Sequence, residues 1–163
     1  METANAFIYC LGTNIPVKPD DLNRKINFEY AIATAHIFAD ATKNNSSVRF
    51  VYLSGALPEK DPNKRLLFLE NNRKMRGELE NALLKLDQET GPTGMRIYIA
   101  RPGFVQPPRA HVRVWVIGKI ANAILQEDLS AAMVQLALEG SSTPLVENDE
   151  LKSIAKSSQG ISK

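Results

Sequence analysis

Three short turns hold the chain's most usable polar groups: Gly12-Thr13, Ser54-Gly55 and Arg101-Pro102-Gly103. Each supplies a small residue or a chain breaker where the backbone must turn sharply. Hydroxyl and guanidinium groups at such turns can hydrogen-bond and orient a polar ligand. The turns could equally do no more than end their strands. What points to a site is that all three would line one edge of a parallel sheet, and ligands bind outside the carboxyl ends of parallel strands.

The other reactive residues read more plainly. Cys10 sits inside an apolar run with no basic group before it, so it reads as a buried small hydrophobe rather than a nucleophile. His36, between Ala35 and Ile37, reads as a surface or boundary histidine. His111 follows PPRA, close to Arg109, in a loop that would face the ligand edge. Arg73, Lys74 and Arg76, interleaved with Glu70, Glu78 and Glu80, read as a solvated helix face paired at i to i+4. Trp115 with Val112, Val114 and Val116 reads as core or interface, with a pocket wall as the alternative. A single cysteine excludes an internal disulfide and any Cys-based zinc cluster, and the two histidines lie far apart, so no metal site is expected.

The elements that must position these residues alternate. Ala6 to Leu11 (AFIYCL) reads as a strand buried on both faces, ended by Gly12. After two prolines, Ile26, Tyr30, Ala33, Ile37 and Ala41 recur every three or four positions, which predicts a helix over Leu22–Thr42 with a narrow, alanine-lined contact face. Val48 to Leu53 is the second strand. A helix over Lys64–Asp87 follows, with Leu66, Leu69, Met75, Leu79, Leu83 and Leu86 as its core stripe, and GPTG ends it. Met95 to Ala100 is the third strand. Helices are predicted over 112–125 and 128–139, a short strand over 143–146 and a last helical turn or two over 149–156. The order β-α-β-α-β-α-α predicts an α/β domain with a parallel sheet over residues 1–156, and a flexible tail over 157–163.

Composition removes other classes. The 163 residues carry a formal charge of only +2 and 7% aromatics, so neither a basic nucleic-acid face nor a base-stacking platform is expected. No run approaches the 18 or so apolar residues of a membrane span, and Ala6–Leu11 lacks the basic flank and length of a signal peptide. The expectation is a cytoplasmic protein with no membrane partner.

Several segments, in order, carry a family likeness: FVYLSGA (50–56), RGELENALL (76–84), RIYIARPGFVQP (96–107), LSAAMVQLALEG (129–140) and VENDELKSIA (146–155). Together they resemble the atypical, NAD(P)-dependent epimerase-like branch of the short-chain dehydrogenase/reductase superfamily, over about residues 6 to 156. FIYCLGT would correspond to that family's fourth strand and RKINFEYAIATA to its fourth helix. The resemblance implies a partial, Rossmann-like doubly wound sheet, truncated at its N-terminus and lacking the first β-α-β half that holds the cofactor. It places Ser54 at the serine that hydrogen-bonds a substrate carbonyl or hydroxyl. It places Asn72 and Arg76 at the family's tyrosine and lysine. Asn72 has no titratable proton and cannot be the general acid, while Arg76 keeps a cation that does not deprotonate. Gly12, Thr13, Arg101, Pro102 and Gly103 would line the remnant pocket.

Two further departures bear on function. No GxxGxxG or GxGxxG occurs in the 163 residues, so the phosphate-cradling turn of a dinucleotide site is missing. The stretch between RPGFVQP and LSAAMVQLALEG is short, which shortens any substrate lid. The expectation is a non-redox binding or assembly module, a pseudoenzyme, with Ser54 and Arg76 as the residues of any surviving catalytic site. The alternatives are a cofactor-independent isomerase or cyclase using the remnant pocket, or an oxidoreductase whose missing half comes from another chain. No cofactor is expected; NAD(P) would bind only in that last case. A homodimer is expected, through the bare edge of Ala6–Leu11 or through the two long helices.

Overall fold

The computed structural model describes residues 4–13, 16–43, 48–55, 57–61, 63–91, 94–107 and 122–160. Four strands form a parallel sheet in the order β1-β2-β3-β6: β1 (Ala6–Tyr9), β2 (Arg49–Leu53), β3 (Arg96–Arg101) and β6 (Leu145–Glu147). β1 pairs with β2 from Ala6 opposite Arg49, β2 with β3 from Arg49 opposite Arg96, and β3 with β6 from Ile99 opposite Leu145. The protein is therefore α/β with parallel pairing. A separate two-residue ladder joins β4 (Val105–Gln106) to β5 (Ile124–Leu125).

Both faces of the sheet are covered. On one, Phe50, Tyr52, Ile97 and Ile99 pack against α2 (Tyr30–Thr42) and α3 (Glu70–Thr90) through Ala31, Ala35, Leu79 and Leu83. On the other, Val51, Tyr98, Ala100 and Val146 meet α4 (Gln126–Leu138) and α5 (Asn148–Gly160) through Ala132, Leu136, Leu151 and Ala155. Alternate residues of β2 and β3 thus enter opposite cores, which is why both read as unbroken apolar runs. No helix among the described residues is long and apolar enough to cross a membrane.

Several elements differ from the sequence reading, each for a physical reason. β1 is four residues long and not buried on both faces: Phe7 and Ile8 remain 38% exposed, because β1 is the sheet edge and pairs only with β2 among the described residues. Cys10, just past its end, is exposed rather than buried. The first helix begins earlier than predicted, with α1 (Asp20–Arg24), and passes through one π-helical turn (Lys25–Glu29) into α2. Its buried positions are Asn23, Asn27, Ala31, Ala35 and Thr42, not the predicted stripe; Tyr30 and Ile37 face solvent. A π turn inserts an extra residue, which keeps residues four apart on one face.

The predicted second helix starts later, at Glu70. Leu69 adopts a left-handed conformation with φ 49° and stops the helix from extending backward, so Leu66 and Leu69 of the predicted stripe fall outside the helix, and Leu69 is exposed together with Leu67 and Phe68. α3 also carries Gly77, where an added Cβ would stand 1.9 Å from the Glu59 carbonyl oxygen. The loop crossing there is anchored by the Glu59 N–H donating to the Arg73 carbonyl at 2.9 Å. The predicted helix over 112–125 lies mostly outside the described residues, and its end, Ile124–Leu125, is strand. α5 runs through Gly160, four residues into the segment read as a tail.

Candidate functional site

The carboxyl ends of β1, β2 and β3 lie side by side, and the groups that follow them surround a cleft of about 550 Å³. Cys10, Ser54 and Gly55 form its strand side, the loop Pro102–Val105 its rim, and Leu129 and Met133 of α4 its apolar wall. Arg76 reaches in from the first half of α3. A smaller cavity of about 80 Å³ shares Cys10, Ser54 and Arg76 and adds Gly12, Thr13, Asn27 and Tyr52.

Ser54 continues the ladder beyond β2, its N–H donating to the Ala100 carbonyl at 2.9 Å. Its hydroxyl donates to Glu80 Oε1 at 2.7 Å. Glu80, on α3, is fully buried, and its two oxygens also accept from the Arg101 guanidinium, Nε lying 3.0 and 3.1 Å from Oε1 and Oε2 and Nη2 closer still to Oε2. Arg101 Nη1 donates across the ladder to Glu147 Oε1 at 2.8 Å, opposite it on β6. The Glu80 hydrogen bonds, with Glu147 added, push the Arg101 guanidinium above its ordinary value. The carboxylate read as part of a solvated face is thus the buried anchor of the site. Glu70 does pair with Lys74 at 2.7 Å, i to i+4 as expected, whereas Glu78 pairs across helices with Arg24 at 2.7 Å. Arg101 faces its two carboxylates and the smaller groove by Pro58 and Asn148, not the main cleft.

Arg76 is held differently. Its Nη2 donates to the Thr13 carbonyl at 3.2 Å, and it forms no ion pair among the described residues. Gly55 leaves it room, since a Cβ there would lie 2.8 Å from Nη1. Thr13 is itself fixed by the π turn: its N–H donates to Asn27 Oδ1 at 2.7 Å, and Asn27 Nδ2 donates to Thr13 Oγ1 at 2.9 Å and to Asn23 Oδ1 at 2.9 Å. Asn23 Nδ2 then donates to Asn72 Oδ1 at 2.7 Å. This buried run of amides ends at Asn72, which borders a groove beside α1, not the strand-end cleft. Sequence reading missed Asn23, Asn27 and Glu80. The available signals were the four-residue spacing from Asn23 to Ala35 and the place of Glu80 beside Leu79 and three residues before Leu83, at the border of the apolar stripe.

Burial pushes the Cys10 thiol up from its ordinary pKa. Burial also raises the Tyr52 phenol strongly, with Glu80 adding to the effect and the Arg76 charge opposing it. Neither group supplies a thiolate or phenolate near neutral pH. His36 is exposed on α2; Arg109, His111 and Trp115 lie outside the described residues. The starts of α1, α3, α4 and α5 all carry acid side chains in the first turn: Asp20 and Asp21, Glu70, Glu127 and Asp128, Asp149 and Glu150. A pyrophosphate set at any of these helix starts would meet carboxylates instead of free N–H groups. Among the described residues, no three His, Cys, Asp or Glu side chains gather as a metal site requires. In comparisons with known proteins, no family model and no curated protein matches this sequence.

Proposed function

We propose that this chain is a Rossmann-like module, related to the short-chain dehydrogenase/reductase superfamily, that binds a small molecule at the strand-end cleft without NAD(P) and without redox chemistry. The observation that carries this reading is the disposition of Asn72. It stands where a proton-relaying tyrosine is expected, has no proton to give near neutral pH, and is buried in a hydrogen bond with Asn23 away from the cleft. The residues around the cleft also do not fit a dinucleotide, because the sequence has no glycine-rich phosphate turn and the helix starts are acidic. A four-stranded parallel sheet covered on both faces supports the Rossmann-like assignment.

Titration calorimetry with NADPH and NADH tests the reading. No binding is expected at micromolar concentration; a dissociation constant of about 10 μM or tighter, roughly −7 kcal/mol, overturns it. A second reading, a cofactor-independent isomerase or cyclase, is favoured by one observation: Arg76 stands in the cleft without a counter-ion among the described residues, where it could stabilise developing negative charge. Turnover that disappears in both Ser54→Ala and Arg76→Ala, with the fold retained, would select that reading over simple binding.

A further inference from the structure

Resting on the reading of the strand-end cleft as a ligand site, we propose that its ligand is a small hydroxylated organic acid. Its acid group sits on the Arg76 guanidinium, its hydroxyl donates to Ser54 Oγ, and its apolar body lies against α4.

The charge requirement comes from Arg76. Arg24, Arg96 and Arg101 are each neutralised by a carboxylate, Glu78, Asp87 and Glu80 respectively. Arg76 is half-buried and lines both cavities, yet its one hydrogen bond among the described residues is to a backbone carbonyl. A guanidinium has five N–H donors in a flat fork, so most of its donors remain for a ligand. A carboxylate matches that fork with two parallel hydrogen bonds. Arg101 is held by Glu80 and Glu147 and does not line the cleft, so Arg76 is the one charged side chain on the cleft's lining among the described residues.

The hydroxyl requirement comes from Ser54. Its single proton is committed to Glu80, whose two oxygens both accept from Arg101 and have no proton to return. The Ser54 oxygen therefore offers only lone pairs. A ligand carbonyl placed there would meet an acceptor, whereas a hydroxyl can donate to it. The third requirement comes from the walls. Leu129, Met133, Phe104 and Val105 present apolar surface, and about 550 Å³ lies within the size range of small-molecule sites.

The test uses three probes of one shape on the full chain: mandelate, which has both groups; phenylacetate, which lacks the hydroxyl; and mandelamide, which lacks the charge. Binding is read by calorimetry and by protection of Cys10, which lines both cavities, from maleimide. Mandelate should bind most tightly. Arg76→Gln should weaken mandelate by about 10- to 100-fold, the worth of a charge-assisted hydrogen bond, while leaving mandelamide nearly unchanged. Arg76→Lys should recover part of the loss, and Ser54→Ala should erase the preference for mandelate over phenylacetate. Mandelamide binding as tightly as mandelate to the unmodified protein, or no saturable binding by any probe at millimolar concentration, overturns the acid. Phenylacetate matching mandelate overturns the hydroxyl contact. Micromolar NADPH protecting Cys10 is the separate outcome that defeats the cofactor-free reading beneath the proposal.

Discussion

Cys10 stands at the mouth of the cleft as an exposed thiol whose pKa is raised by its surroundings. A raised pKa means less thiolate at any given pH, and the thiolate is the reactive form. The rate of maleimide labelling should rise with pH to a midpoint above the ordinary 9.0. A midpoint at or below 9.0 would mean that no desolvation acts on the thiol. Glu80 gives the stability counterpart. Removing one member of a buried pair strands the other, at about 3 kcal/mol or more, although Glu147 still partners Arg101 here. Glu80→Gln should therefore lower unfolding stability by up to about 3 kcal/mol in urea titration. A double replacement, Glu80→Leu with Arg101→Met, should cost less than the single change, because no charge is left buried. Equal or greater loss in the double variant would assign the cost to packing alone. Neither residue's environment was fully legible locally: Glu80 lies beside Leu79 in sequence, but its partners come from 26 and 21 positions away.

For the elements, helix propensity and tertiary contact disagree at Gly77. Propensity alone makes Gly77→Ala stabilising by about 1 kcal/mol. The Glu59 carbonyl, 1.9 Å from where the methyl would stand, cannot yield without lifting the loop from Leu57 to Asp61 off α3. Overpacking of this kind costs about 1–3 kcal/mol, so the balance should turn destabilising, with faster proteolysis in that loop. A raised melting temperature for Gly77→Ala would show that the crossing is not held. The strands were legible as apolar runs, and the helix carrying Arg76 as a leucine periodicity from Met75 onward. The face of the first helix was not. Hydropathy marks Tyr30 and Ile37, whereas the buried turn is led by Asn23 and Asn27, whose amides are satisfied by Thr13, Val17 and Asn72.

At the scale of the whole molecule, β1 forms one edge of the four-stranded sheet. Its outer side carries unpaired backbone donors and acceptors among the described residues. Phe7, Ile8 and Leu11 are exposed beside it, with no proline or lysine between Ala6 and Leu11. Edges of this kind invite pairing, and a two-fold axis would let two copies extend one sheet. Sedimentation at low micromolar concentration should give twice the 18.0 kDa chain mass; a monomer refutes the expectation. Ile8→Lys should dissociate the dimer, and an unchanged, folded dimer would move the interface to the helices.

The sequence by itself determined where the sheet lies and which residues follow the carboxyl ends of its strands. Strand cores are local apolar runs, and strand ends are marked by glycine, proline and serine, so β1, β2, β3 and the turns at Thr13, Ser54 and Pro102 could be read one residue at a time. Only the tertiary structure decided the state of the polar groups. Whether an asparagine or a glutamate is buried depends on partners brought from distant elements. Those partners committed the Ser54 proton to Glu80, tied Arg101 to two carboxylates and left Arg76 facing the cleft alone among its charged neighbours. Hydropathy records the cost of burying such a group but not the hydrogen bonds that offset it.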